Sequence, residues 1–84
     1  MTLIAEVRVN LKKGVADPEG ANTRKALELL GFSEVAEVKS SKCFSIRLDT
    51  KDKAKAEKKV REMCESLLAN PVIHNYEISI RKED

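Results

Sequence analysis

The amino-acid sequence predicts an α+β domain in which two helices lie on one face of an antiparallel sheet. Apolar and polar residues alternate in several short segments, as they do in half-buried strands. In two longer segments the apolar residues recur every three to four positions, as in amphipathic helices. The period changes across Asn70-Pro71, because proline cannot continue a helix and disfavours the helical conformation of the residue before it. The longest helix therefore ends there, and the last strand begins.

The first predicted strand runs from Leu3 to Leu11 and has one strongly apolar face. Lys12-Lys13-Gly14 ends it, and a helix follows. Asp17 is a good N-cap for this helix, and Pro18 suits its first position. The apolar face of the helix consists of Thr23, Ala26, Leu27 and Leu30. Gly31 is placed to end the helix in the left-handed conformation that glycine tolerates.

A central hairpin is predicted next. Glu34 to Lys39 does not alternate cleanly, so we expect a short strand that carries a bulge. Ser40-Ser41 gives a modest turn signal. The segment Cys43 to Asp49 alternates clearly and is the second strand of the hairpin. Its residues that face the helices are Phe44, Ile46 and Leu48.

The second predicted helix begins after a cap at Thr50 or Asp52 and runs to about Ala69. Its lysines lie away from the apolar stripe and form a solvated face. The last strand directs Tyr76, Ile78 and Ile80 toward the core. The predicted order, β-α-β-β-α-β, is that of a ferredoxin-like two-layer sandwich, formed by residues 1–84 as a single domain.

Composition excludes several classes of function. The 84 residues include 16 lysines and arginines against 14 aspartates and glutamates, a formal net charge of +2 that is too small for a nucleic-acid-binding surface. The predicted open face of the sheet has no aromatic residues on which bases could stack. Because no apolar run is long enough to span a membrane and charges come early, we expect a cytoplasmic protein. The small core and two unpaired sheet edges predict self-association.

The sequence predicts no catalytic, cofactor-binding or metal-binding residue. Cys43 and Cys64 are interpreted as packing residues, although a catalytic pair of Cys64 with His74 stays open as an alternative. The cysteines and the histidine do not have the spacing or number of a closed zinc site. Gly14 and Gly20 flank a helix start that could hold an anion, but Asp17 would repel a phosphate there. No phosphate-binding glycine motif is present.

Four stretches of the chain nevertheless resemble one family, the small PurS subunit of phosphoribosylformylglycinamidine (FGAM) synthase. They are 7–20 (VRVNLKKGVADPEG), 26–32 (ALELLGF), 63–73 (MCESLLANPVI) and 76–78 (YEI). The blocks G-V-x-D-P-x-G and L-L-A-N-P-V-I are specific only in combination. Their motif positions are candidate contacts with a partner or between copies: Gly14, Asp17, Pro18, Gly20, Asn70, Pro71 and Ile73. One departure is Ser41-Lys42, where the family often has glycine before the lysine, which leaves the type of this turn open.

The resemblance implies a cytoplasmic complex of purine biosynthesis. In it, a glutaminase subunit releases ammonia from glutamine, and a large synthetase subunit uses ATP and Mg²⁺ to convert formylglycinamide ribonucleotide to the amidine. The small subunit binds no cofactor and has no catalytic residue; it assembles the complex, associates with itself and assists ammonia transfer. The alternative is a stand-alone ferredoxin-like domain that binds a small metabolite between subunits.

Overall fold

The computed structural model describes residues 2–83. In chain order they form β1 (Thr2–Leu11), α1 (Pro18–Leu29), β2 (Ser41–Leu48), α2 (Lys53–Met63), a π-helical turn (Cys64–Leu68) and β3 (His74–Glu83). The strands of this part of the chain form one antiparallel sheet in the order β2-β1-β3. The predicted α+β class, with an antiparallel sheet and two helices, is confirmed.

The core lies between β1 and α2. The alternate β1 residues that were predicted to be apolar and inward are buried: Leu3, Ala5, Val7 and Val9. Val60 and Cys64, both fully buried, form one core cluster with Ala5, Val7 and Val9. Burial of this kind stabilises the chain by about 25 cal/mol for each Å² of apolar surface removed from water. Because β1 is the central strand of the sheet, its inward side chains are almost completely inaccessible to solvent.

The expected strand at Glu34 to Lys39 is wrong, because this segment belongs to none of the strands among residues 2–83. Its backbone is engaged with α1 instead. The Nε–H of Arg24 donates to the carbonyl of Ala36 over 3.0 Å. The carbonyl of Val38 lies so close to Gly20 that a Cβ at that position would be 2.3 Å from it. The predicted hairpin is therefore absent, and β2 is an edge strand.

α1 stands away from the sheet, so the expected covering of one sheet face by both helices is met by α2 alone. On the predicted apolar face of α1, Leu30 is 73% exposed. The radius of gyration is 16.4 Å, whereas a compact chain of this length would have about 12 Å. We call residues 17–40, which comprise α1 and the segment that returns along it, the arm.

The predicted end of α1 is confirmed in detail. Gly31 has φ +101°, the left-handed conformation. Its N–H donates to the carbonyl of Glu28, and the N–H of Phe32 donates to the carbonyl of Leu27, each over 3.0 Å. These two bonds define a Schellman motif, which satisfies carbonyls that the end of the helix would otherwise leave unpaired.

The second helix also begins and ends close to where the sequence predicts. The carboxylate of Asp52 accepts the N–H of Lys55 over 3.1 Å and caps α2. The last turn is π-helical, because the N–H of Ala69 donates to the carbonyl of Cys64 over 2.9 Å. Ala69 itself is extended, so the helical segment stops just before Asn70-Pro71. Within residues 2–83, neither helix has the length and apolar character needed to cross a bilayer.

Candidate functional site

The two sequence blocks singled out above meet at one end of the sheet. The register of β1 and β3 pairs Leu11 with His74, so the end of one strand lies beside the start of the other. One residue further on, the N–H of Lys12 donates to the carbonyl of Ile73 over 2.8 Å. The block 14–20, which follows β1, and the block 67–73, which precedes β3, therefore lie at the same edge of the molecule.

Asp17 organises the first block. Its side chain accepts the N–H of Gly20 over 2.9 Å, which caps α1, and Pro18 occupies the first turn as predicted. The same carboxylate accepts the N–H and the hydroxyl of Ser40, each over 2.7 Å. The backbone N–H of Ser40, then that of Gly20 and the Ser40 hydroxyl, hold the pKa of Asp17 below its ordinary value. Asp17 thus joins the two ends of the arm, residues 17 and 40.

The two glycines of this block serve different purposes. Gly20 is buried, and the backbone of Val38 passes where its side chain would be. Gly14 has open space around its Cα but a φ of +89°, which residues with a side chain rarely adopt. The spacing G-x-x-D-P-x-G therefore encodes a turn, a helix cap and a close backbone approach.

A cavity of about 530 Å³ lies beside this block, between the end of β1, the start of α1 and the segment 37–41. Its lining contains both signs of charge: Lys12, Lys13, Arg24 and Lys39 against Asp17 and Glu37. The carboxylate of Asp17 is already engaged in hydrogen bonds. Across residues 2–83, no group of three or more His, Cys, Asp or Glu side chains is placed to hold a metal ion.

Asn70 organises the second block. Its side-chain oxygen accepts the N–H of Val72 over 3.0 Å, and its carbonyl accepts those of Ile73 and His74 over 3.0 and 2.8 Å. Its own N–H donates to Nδ1 of His74 over 2.9 Å. Pro71 lies within this turn. The turn from the helical segment to β3 is therefore stabilised by the hydrogen bonds of Asn70 as well as by the backbone restriction at Pro71.

The open alternative of a Cys64–His74 pair finds no support in this geometry. Nδ1 of His74 serves as the acceptor for the backbone of Asn70. Cys64 is fully buried, and burial raises the pKa of its thiol, which disfavours the thiolate that a nucleophile requires. The packing interpretation holds for Cys64 but is wrong for Cys43, which is exposed on the open face of the sheet.

Sequence reasoning missed two contacts that hold the site together. Ser40 was interpreted only as a turn residue, yet it completes the environment of Asp17. The hydroxyl of Tyr76 donates to Glu65 over 2.7 Å and ties β3 to the π-helical turn. No local pattern signals either contact, since the partners are 23 and 11 positions apart.

Two apolar side chains at this end of the molecule remain in solvent. Leu67 in the π-helical turn is 83% exposed, and Val72 in the following turn is 79% exposed. The fixed turn holds them outward although both belong to an apolar block. Contiguous exposed apolar patches are typical of surfaces that bind another protein, and these two side chains are candidates for such a patch.

Comparison with known proteins identifies relatives along nearly the whole chain. The model of the PurS family, described as phosphoribosylformylglycinamidine (FGAM) synthase, matches residues 4–82. The PurS subunit of this synthase from Archaeoglobus fulgidus is 51% identical over 80 residues, which cover 95% of this chain and all of the relative. The crystal structure of Methanocaldococcus jannaschii PurS is 45% identical, with a TM-score of 0.87 over 98% of this chain and 99% of that one.

A chain in the structure of PurLQS from Thermotoga maritima is also similar, with 26% identity and a TM-score of 0.85 over 96% of this chain and 99% of that one. Fold and site together define a small α+β domain. Its polar motif residues stabilise turns and a helix cap within the chain, and two of its apolar side chains, Leu67 and Val72, are exposed to solvent. The chain belongs to the PurS family. The alternative of a stand-alone metabolite-binding domain is not favoured.

Proposed function

We propose that this chain is the small, non-catalytic subunit of FGAM synthase in de novo purine biosynthesis. It joins a glutaminase subunit to a large synthetase subunit in the cytoplasm and assists the transfer of ammonia between them. The observation that carries this proposal is the likeness of nearly the whole chain to a chain of the PurLQS assembly, together with the family match over residues 4–82.

The proposal assigns the chemistry of the complex to the other subunits. ATP and Mg²⁺ belong to the synthetase subunit, which converts formylglycinamide ribonucleotide to the amidine. In this chain the polar groups of Asp17 and Asn70 are engaged in caps and turns. These contacts give both side chains a structural role in the chain.

The motif residues would then act in docking by shaping the surface. This role is proposed for Gly14, Asp17, Pro18, Gly20, Asn70, Pro71 and Ile73. Direct contact with a partner subunit falls to the exposed side chains that these turns present, Leu67 and Val72 above all. Self-association is part of the same proposal, because the small core and the open sheet edges leave much of the chain uncovered.

An omission series tests the function. The glutaminase and synthetase subunits are assayed for amidine formation with and without this chain, once with glutamine and once with ammonium salt. With ammonium we expect product in both cases, because ammonia reaches the synthetase through solvent. With glutamine we expect product only when all three chains are present, because assembly raises the effective concentration of released ammonia at the second site.

Two results would contradict the proposal. Full glutamine-dependent turnover without this chain would show that it does not couple the two reactions. Loss of the ammonium-dependent reaction on omission would show that the chain helps to form the synthetase site itself. Leu67→Glu serves as a docking variant, since it alters an exposed side chain; we expect it to lower the glutamine reaction and to spare the ammonium reaction.

A further inference from the structure

The exposed side of α2 holds a concentration of positive charge. Residues 51–61 include six lysines and arginines against two acidic residues, whereas the whole chain has a net charge of only +2. Asp52 caps the helix and Glu57 pairs with Arg61 over 3.2 Å, so both carboxylates of this segment are already engaged. Within residues 2–83, four lysines of α2 form no ion pair with a carboxylate: Lys53, Lys55, Lys58 and Lys59.

This arrangement is unfavourable for the helix itself. Lys55 and Lys59 are one turn apart on the same side, and like charges four positions apart destabilise a helix. Lys53 and Lys55 lie in the first turn, where the helix dipole disfavours positive charge, and this turn has no acidic residue. The stability of α2 therefore does not explain these lysines, whereas a negatively charged surface outside the chain would balance them.

The lysines continue into the exposed apolar side chains at the end of the helical segment. Leu67 is 83% exposed, and Met63, one turn before it, is half-buried. A shallow groove of about 370 Å³ is lined from Lys59 through Met63 to Leu67, and Glu62 supplies a carboxylate to its lining. One end of this surface is basic and the other is apolar. We call four residues of α2 and the π-helical turn, spaced four apart, the outer strip: Lys55, Lys59, Met63 and Leu67.

We propose that the outer strip binds an acidic amphipathic helix of a partner subunit of the synthase. The strip is about 18 Å long, a little over three helical turns. A helix laid along it places apolar residues against Met63 and Leu67, and its aspartates or glutamates then pair with Lys55 and Lys59. Charge pairs of this kind speed association and exclude wrong partners. The inference rests on the proposed function and adds the chemistry of the partner surface.

The apolar end of the strip distinguishes a protein partner from a nucleic acid. A phosphate backbone would satisfy the lysines, but it offers Leu67 no apolar surface. An amphipathic helix offers both kinds of contact at the spacing of the strip, because its own side chains also recur every three to four residues.

Lys55→Glu separates binding from stability. In the isolated chain it replaces a repulsive pair with Lys59 by an attractive one, so urea unfolding should show a chain at least as stable as the parent. Assembly with the glutaminase and synthetase subunits, measured by analytical ultracentrifugation, should nevertheless weaken roughly tenfold. Lys42→Glu makes the same change of charge at an exposed position of β2 and should leave assembly within about threefold of the parent. Equal assembly of Lys55→Glu and the parent would overturn the inference.

Two substitutions of Leu67 test the sign of the partner's charge. Leu67→Glu and Leu67→Lys remove the same apolar contact, but they place opposite charges at one position. We expect Leu67→Glu to weaken assembly roughly tenfold more than Leu67→Lys, because an acidic partner repels only the first. Assembly of the parent should also weaken as sodium chloride rises from about 50 to about 500 mM, and that of Lys55→Glu should change less. Equal effects of the two Leu67 variants would show that the partner surface is not acidic.

Other occupants are tested with the isolated chain. The probes are fluorescein-labelled single-stranded DNA and phosphatidylserine vesicles. We expect no binding of either probe that depends on Lys55; binding that Lys55→Glu abolishes would assign the strip to a nucleic acid or a membrane and overturn the inference.

The outcomes separate this inference from the proposed function. If omission of the chain abolishes glutamine-dependent turnover but Lys55→Glu assembles like the parent, the function stands and the inference fails. If the chain does not assemble with the two subunits at all, both fail.

Discussion

The carboxylate of Asp17 binds both the backbone N–H and the hydroxyl of Ser40, each over 2.7 Å and across 23 positions of sequence. The two ends of the arm are thereby joined at one side chain that also caps α1. A single carboxylate thus links the start of a helix to the start of the next strand.

Asp17→Ala is expected to release the base of the arm. The amides of Gly20 and Ser40 lose their acceptor, so their hydrogen exchange should accelerate roughly five- to tenfold relative to the parent. Asp49→Ala, which changes an exposed carboxylate just after β2, is the control and should leave both amides unchanged. Unaltered exchange in Asp17→Ala would contradict the role of this residue in joining the two ends of the arm.

The same carboxylate predicts a pH dependence. Because the pKa of Asp17 is lowered in the folded chain, its contribution to stability is present above the ordinary value of 3.8 and is lost as pH falls through the lowered value. The amide chemical shifts of Gly20 and Ser40 should therefore titrate together with a midpoint below 3.8. A midpoint at or above that value would show that the hydrogen bonds of Asp17 to Gly20 and Ser40 do not persist in solution.

Gly20→Ala is expected to destabilise the chain although alanine is the better helix former. A Cβ at this position meets the carbonyl of Val38 at 2.3 Å, so the segment that returns along α1 must move. Overpacking of this kind typically costs about 1–3 kcal/mol, which exceeds the gain of up to about 1 kcal/mol in helix propensity. Urea unfolding measures the difference. Ala21→Gly, one position further, should lose only the propensity.

Asn70→Ala should be more harmful than Pro71→Ala. The asparagine side chain accepts the N–H of Val72, and the loss of a hydrogen bond of this kind typically costs about 1 kcal/mol. Pro71→Ala removes only a restriction on the backbone, since Ala69 is already extended. Urea unfolding of both variants compares their free energies of unfolding. A larger decrease for Pro71→Ala than for Asn70→Ala would show that the proline contributes more to this turn.

Tyr76 gives a spectroscopic test of the contact between β3 and the π-helical turn. It is the single tyrosine of a chain without tryptophan, so the ultraviolet absorbance of phenolate reports it alone. The hydrogen bond to Glu65, with smaller effects of burial and of the Glu65 charge, raises the pKa of Tyr76 above 10. Its stabilising effect is accordingly present below the ordinary value and lost as pH rises through the raised one. In Glu65→Ala the absorbance transition should move to lower pH.

Local sequence patterns predicted the elements whose structure depends on neighbours along the chain. The cap at Asp17, the proline at 18 and the stop at Gly31 were all found, because each acts within a few residues. The alternation in β1 predicted its buried face for the same reason.

The predictions that were wrong concern segments whose apolar pattern is visible in the sequence but whose packing partner is not. The apolar face of α1 was assigned to its own sheet, and Glu34 to Lys39 was paired into a hairpin, whereas both form the arm. The contact between Asp17 and Ser40 involves common residue types and leaves no periodic signal. Of the candidate site, the sequence therefore predicted the residues of both blocks but not their meeting at one edge.

The π-helical turn makes the surface of the chain sensitive to length. It contains one more residue than an α-helical turn, and each helical residue changes direction by about 100°. Deleting one residue between Cys64 and Leu68 would therefore rotate the last leucines relative to Val60 without altering the flanking helix or strand. An insertion or deletion at this turn could exchange the solvent-facing leucine for its inward neighbour in one step. Among related chains, a gap of a single residue here would mark a change of binding surface that no comparison of aligned side chains reveals.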